Sequence, residues 1–170
     1  MMEVIVRNYL EIKFLNELKH KKKPNNKYIV KKVSSKDFQL NKFFYKQIGR
    51  NHQWNDRLVW DDKKWINYVS NPNVFTFILK SNEDIAGFFE LILHKSESEV
   101  EIAYFGLLTD YMDKKLGGYM LTEAIKISFS FKVKRVWVHT CSLDHKNALK
   151  NYLSRGMKIY NTEKINIKSA

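Results

Sequence analysis

The chain has 170 residues, 44% of them apolar and 28% charged, and its 30 Lys and Arg against 18 Asp and Glu give a formal net charge of +12. That balance is globular rather than disordered and the length suits one domain; no apolar run approaches the roughly 18–20 residues that span a bilayer, so no membrane partner is expected. Met1-Met2-Glu3-Val4-Ile5-Val6-Arg7 has no basic leader followed by an apolar stretch, so a cytoplasmic protein is expected, and a single cysteine, Cys141, excludes an internal disulfide.

Residues 1–26 read as an N-terminal extension. Glu3 to Ile12 alternates as a strand, Leu15 to Lys23 suits a short helix, and the basic run Lys19 to Lys23 leads into Pro24-Asn25-Asn26. Tyr28 to Val33 is a strand by its β-branched content. Ser34-Ser35-Lys36-Asp37 offers N-caps to a helix carrying Phe38, Leu40, Phe43, Phe44 and Ile48. A second helix covers Asp61 to Ser70, with Trp65, Ile66 and Val69 on one side, and Asn71-Pro72-Asn73 stops it. Strands at Val74–Leu79, Ile85–His94 and Val100–Leu108 follow, and the short turns between them imply an antiparallel meander.

The period then changes. Leu116 to Phe131 is helical, with an apolar stripe at 116, 120, 121, 124, 125 and 129. Val136-Trp137-Val138 is a short strand. Asp144 is placed to cap a helix from His145 to Arg155, with Gly156 as its stop, and Met157 to Ile167 forms one or two final strands. The order predicts an α/β chain, a mixed sheet with helices on its faces.

The stretch from Val100 to Leu121 carries the most chemistry. A strand feeds a turn that opens a helix, and the first amides of a helix are unpaired and carry the positive end of its dipole. Lys114 and Lys115 add full charge there, and Gly117 and Gly118 leave room for a ligand to approach. Gly106, inside an apolar strand, marks a bulge or a close approach; a bulge would splay this strand and free backbone groups at Phe105, Gly106 and Leu107 for an extended ligand arm.

Met112-Asp113-Lys114-Lys115-Leu116-Gly117 resembles the acetyl-CoA-binding motif of the GNAT superfamily, Arg/Gln-x-x-Gly-x-Gly/Ala after a strand. Met112 and Lys115 depart from it, and Gly117 keeps its last position. Asp144 to Met157 is similar to the second motif of the family, with Asn147 and Ala148 early in a helix, Tyr152 further on, then Gly156 and Met157. The resemblance implies a GNAT-like fold over residues 27–170, with a mostly antiparallel central sheet and helices on both faces. It implies an N-acetyltransferase that moves the acetyl group of acetyl-CoA to a primary amine of an unidentified acceptor, without a metal. The pyrophosphate would lie over 112–118, Asn147 would meet the pantetheine arm and Tyr152 would protonate the leaving thiolate.

Amine attack needs a group to accept a proton. Glu101 matches the position where some members of the family carry a base, and Glu90, in an apolar strand, is the alternative. Between the first two helices, Trp54 and Trp60 are candidate walls of an acceptor pocket, and Asp56 and Arg57 would either orient the acceptor or form a structural pair. His139, Cys141, Asp144 and His145 lie close in sequence but match no zinc spacing. Two other readings stay open: a domain of the same fold that binds CoA weakly or not at all, motivated by Met112 and Lys115, and a basic nucleic-acid-binding module, for which the charge speaks and no motif does. The 14% aromatic content is compatible with a partner surface and a homodimer.

Overall fold

The computed structural model describes residues 2–34 and 37–168. Seven strands form one sheet: β1 (Met2–Ile12), β2 (Tyr28–Lys32), β3 (Val74–Ser81), β4 (Asp84–His94), β5 (Glu99–Leu107), β6 (Arg135–Cys141) and β7 (Lys158–Lys168). Four helices accompany them: α1 (Phe38–Gly49), α2 (Asp62–Ser70), α3 (Leu116–Ser130) and α4 (Ala148–Ser154). The strand order is β2-β3-β4-β5-β6-β1-β7, and every neighbouring pair is antiparallel except β5 and β6, which α3 joins as a crossover. This is the mixed, mostly antiparallel sheet that the sequence predicts.

Period-2 alternation sends apolar side chains to both faces, so both are covered. On one face Leu10, Ile12, Phe89, Leu91, Val100 and Ile102 meet Leu116, Met120, Leu121, Ala124 and Ile125 of α3, and all are buried. On the other, Phe44 and Ile48 of α1 close over Phe88, with the Phe44 and Phe88 rings stacked at 4.7 Å. Asp37 caps α1 through Gln39 N at 2.9 Å, and Asp61 caps α2 through Lys64 N at 2.8 Å. Of the other cap candidates, Ser35 and Lys36 lie outside the described residues. No helix among the described residues is long and apolar enough to cross a membrane.

The strand read at Glu3–Ile12 is β1, hydrogen-bonded to β6 on one edge and β7 on the other, with Leu10 and Ile12 in the core. Two expectations change. The 15–23 helix is only a 3₁₀ turn at Leu15–Glu17. Beyond it the backbone bonds outward instead of to its own previous turn: Lys19 N donates to the Arg155 carbonyl and Lys21 N to Thr122 Oγ1, both at 3.0 Å. On a helix Lys19 would face Lys22 and Lys23, like charges three and four positions on, and be repelled by them. Finally, α4 starts at Ala148, not His145. Asp144 folds back on the end of β6, accepting from Cys141 N at 2.9 Å and from Thr140 Oγ1, and so is not free to cap the helix.

Candidate functional site

Strands β5 and β6 pair over only three positions, Glu99 with Arg135, Val100 with Val136 and Glu101 with Trp137. Beyond them the strands part. The gap opens into a cleft of ≈ 950 Å³, lined by Ile102 to Leu107 on one side and by Val138, His139 and Cys141 on the other. A bulge sits at its head. Glu90 is opposite Tyr104 and Leu91 opposite Ile102, so Ala103 is the extra residue on β5.

Of the two readings of Gly106, a bulge or a close approach, the structure shows the second: Gly106 pairs in register with Phe88. Gly106 answers to the close approach of α1: a Cβ there would lie 2.6 Å from Ile48 Cγ2. The extra residue at Ala103 inverts the alternation. It turns Tyr104 toward α1 and Phe105 toward the α3 face, where its ring is 6.2 Å from that of Tyr152.

One end of the cleft is built on the start of α3. Met112, Asp113, Lys115, Leu116, Gly117 and Gly118 all line it. Asp113 and Lys115 have φ of 60° and 59°, the left-handed region that favours glycine. Lys115 therefore holds the backbone shape for which the family motif uses Gly, at a conformational cost. A Cβ on Gly118 would lie 2.7 Å from Arg155 Nη1, so the small residue makes room for a guanidinium against the helix start. Arg155 Nε and Nη1 are buried with no hydrogen-bond partner among the described residues, and burial pulls this guanidinium below its ordinary pKa. Uncompensated cationic donors beside free helix amides suit a phosphate. Lys21 lines the same end, whereas Lys114 lines a smaller recess beside it.

From α4, Asn147, Ala148, Asn151 and Tyr152 reach the cleft. Asn147 stands at the N-cap without a side-chain cap bond. Tyr152 is buried, and burial followed by the nearby Asp144 carboxylate pushes its hydroxyl above the ordinary tyrosine range. It stays protonated at neutral pH, with its hydroxyl free to donate a hydrogen bond into the cleft.

The loop between α1 and α2 closes the other end, and here the expected residues separate. Trp54 and Asp56 line the cleft. The Asp56 carboxylate accepts from Tyr45 Oη at 2.7 Å and from Tyr104 Oη at 2.8 Å, and the Trp54 and Tyr104 rings are 4.8 Å apart. Arg57 and Glu90 do not line it. They form a buried ion pair at 2.9 Å, and Glu90 also accepts from Asn41 Nδ2 at 2.7 Å and Tyr68 Oη at 2.9 Å. Burial opposes the Arg57 charge, but Glu90, Tyr68 and Tyr104 outweigh it and hold the guanidinium protonated. Glu90 is fully buried, its charge is answered by Arg57, and it does not line the cleft, which argues against it as the base. Trp60 packs on Arg57 at 4.7 Å instead of forming a wall.

Glu101 occupies the last paired position before β5 and β6 part, with Oε2 2.8 Å from His94 Nε2. It is outside the lining of the cleft, two residues from the bulge. Sequence reasoning missed Arg7, His52, Tyr104 and Arg155, and left His139 without a role at the cleft; all five line it. Burial, then Arg7, lowers the pKa of His139. Burial, then Asp144, raises that of Cys141, which keeps the thiol from ionising. No group of three or more His, Cys, Asp or Glu suited to a metal occurs among the described residues.

Residues 37–157, more than half of the chain, match the acetyltransferase (GNAT) family. No curated protein matches the sequence. Among solved structures, a GCN5-related N-acetyltransferase from Sphaerobacter thermophilus superposes with a TM-score of 0.74 at 12% identity, over 96% of this chain and 51% of that one. A conserved protein of unknown function from Staphylococcus epidermidis gives 0.60 at 15%, over 96% and 61%. A spermidine N-acetyltransferase from Vibrio cholerae, solved with CoA and spermine, gives 0.63 at 13%, over 84% and 96%. The chain thus spans about half to three-fifths of the first two and nearly all of the third. At these identities the likeness is one of fold.

Proposed function

The chain belongs to the GNAT acetyltransferase family, and on that premise we propose that it transfers the acetyl group of acetyl-CoA to a primary amine by direct attack, with no acyl-enzyme. The observation that carries this reading is the gap between β5 and β6, which joins the α3 start, Tyr152 and the Asp56 loop in one cleft.

The α3 amides, with Lys115, Lys21 and Arg155, would hold the pyrophosphate of acetyl-CoA, which supplies the activated thioester. The buried, unpartnered Arg155 nitrogens fit an anion there. The free edge of β5 at Phe105, Gly106 and Leu107 would pair with the pantetheine arm, with Asn147 opposite, and an amide near Leu107 would polarise the thioester carbonyl. Asp56, held by two tyrosine hydroxyls beside Trp54, would attract the cationic acceptor. Glu101, through water, takes the amine proton as the C–N bond forms. Tyr152 gives its proton to the thiolate as the C–S bond breaks, and regains one from solvent.

The test is thiol release from acetyl-CoA with a panel of polyamines, amino acids, aminoglycosides and peptide N-termini, alongside thermal unfolding. Acetyl-CoA at 100 times its Kd adds about 2.7 kcal/mol, a rise of roughly 5–10 °C at this size. No rise and no thiol release with any amine would refute the reading.

A further inference from the structure

Arg7 lines the cleft from β1, on the face of the sheet opposite α3. Leu10 and Ile12 of β1, like Val136 and Val138 of β6, join the α3 core, so side chains of the other parity point away from it. Arg7 is paired with Cys141 and Tyr9 with His139, and the Tyr9 and His139 rings are 5.7 Å apart. Lys21, Lys115, Lys150 and Arg155, the other Lys and Arg of the cleft, belong to the end built on α3 and α4. Arg7 Nε is buried with no hydrogen-bond partner, and Arg7 makes no ion pair, among the described residues. Glu163, opposite it on β7, instead accepts from Tyr9 Oη at 3.0 Å. A desolvated guanidinium donor without an acceptor costs stability unless a ligand supplies one.

Asp56 lines the same cleft, beside the Tyr104 that the bulge turns toward α1. Burial, then Arg7, lowers the pKa of His139, while Glu101, Asp144 and Asp56 oppose it, so His139 lies in the field of both the Arg7 and the Asp56 charge. An acceptor seated over His139 therefore meets an acid and a guanidinium together. A single guanidinium beside a neutral imidazole suits a monoanion, and its planar fork matches a carboxylate. From the orphaned Arg7 donor and the Asp56 carboxylate in one cleft, we infer that the acceptor carries a carboxylate as well as its amine. Arg7 binds the carboxylate and Asp56 draws the amine, so the substrate class is an amino acid and not a polyamine. The inference rests on the acetyl-CoA reading above and narrows its acceptor.

Thiol release from acetyl-CoA with 4-aminobutyrate, lysine and phenylalanine, each beside its carboxamide, tests the inference. It is run on the full chain and on Arg7→Met and Arg7→Lys variants of equal Tm, with CoA affinity measured by isothermal titration. The full chain is expected to favour at least one acid over its carboxamide by about 30-fold or more in kcat/KM, the scale of a lost hydrogen bond to a charged group. Arg7→Met should abolish that preference, and Arg7→Lys should keep part of it, with the affinity for CoA within about 2-fold in both. Equal rates for acid and carboxamide in the full chain would overturn the carboxylate site. So would a preference that survives in Arg7→Met, or turnover of none of the acids. Each of these, with CoA still bound, leaves the acetyl-CoA reading standing; no binding of CoA and no thiol release with any amine would overturn both.

Discussion

Arg57 and Glu90 meet at 2.9 Å with side chains 5% and 1% exposed, and this pair ties the loop that carries Asp56 to the middle of β4. Tyr45, Trp60, Trp65, Tyr68 and Tyr104 stand around the guanidinium with ring centroids 4.1–5.8 Å away. Breaking one partner of a buried pair costs about 3–5 kcal/mol because the other charge is left without an answer. Glu90→Gln should lower Tm by roughly 6–20 °C in a thermal melt. An Arg57→Met/Glu90→Leu double variant should recover part of that loss.

Gly106 sits under Ile48, and the clash that a methyl would make there is with a branched side chain in a packed helix. Gly106→Ala should destabilise by about 1–3 kcal/mol, read by urea denaturation, and Gly106→Ala/Ile48→Ala should relieve the overpacking component of that cost.

Tyr152→Phe keeps the buried ring and removes only the hydroxyl. The expected result is a fall of about 100-fold in kcat with the affinity for CoA within about 2-fold, as for a group that acts in the transition state. Glu101→Gln should fall comparably at neutral pH and recover toward the ordinary amine pKa of about 10, where the acceptor arrives already neutral. A flat pH profile in that variant would remove Glu101 from the role of base.

His139 and His52 give a pH dependence of stability. Burial lowers both, reinforced at His139 by Arg7 and at His52 by His145, with Glu101, Asp144 and Asp56 opposing in part. The unfolded chain takes up these protons near pH 6.5 while the folded chain resists, so stability is full above that value and falls as pH drops through it. Tm should decline between about pH 7.5 and 5.5, and His139→Asn should flatten the decline.

What was legible in the sequence was local. The α3 start and the α4 face announce themselves because their residues are neighbours along the chain, and the meander because its turns are short. Tyr104 and Asp56 pair across 48 positions, and nothing in either segment signals the other. Ala103 carries no bulge signal, so the inverted alternation that turns Tyr104 toward Asp56 was invisible. Glu90 looked like a candidate base because an acid among aromatics is unusual; its three donors come from helices and a loop elsewhere in the chain. Arg155 read as an ordinary helix-end residue until Gly118 brought α3 against it.

The position of β1 between β6 and β7 has a kinetic consequence. Tyr9 and Glu163 touch across 154 positions, and β1 waits for strands that are synthesised long after it. The early strand must stay unpaired, its edges open to wrong partners, while the β3–β5 meander forms from short-range contacts. Closing so long a loop is slow. Refolding should therefore show the meander protected from hydrogen exchange early and β1 late. In a cell, the interval between the two is the time at which this chain is most exposed to aggregation.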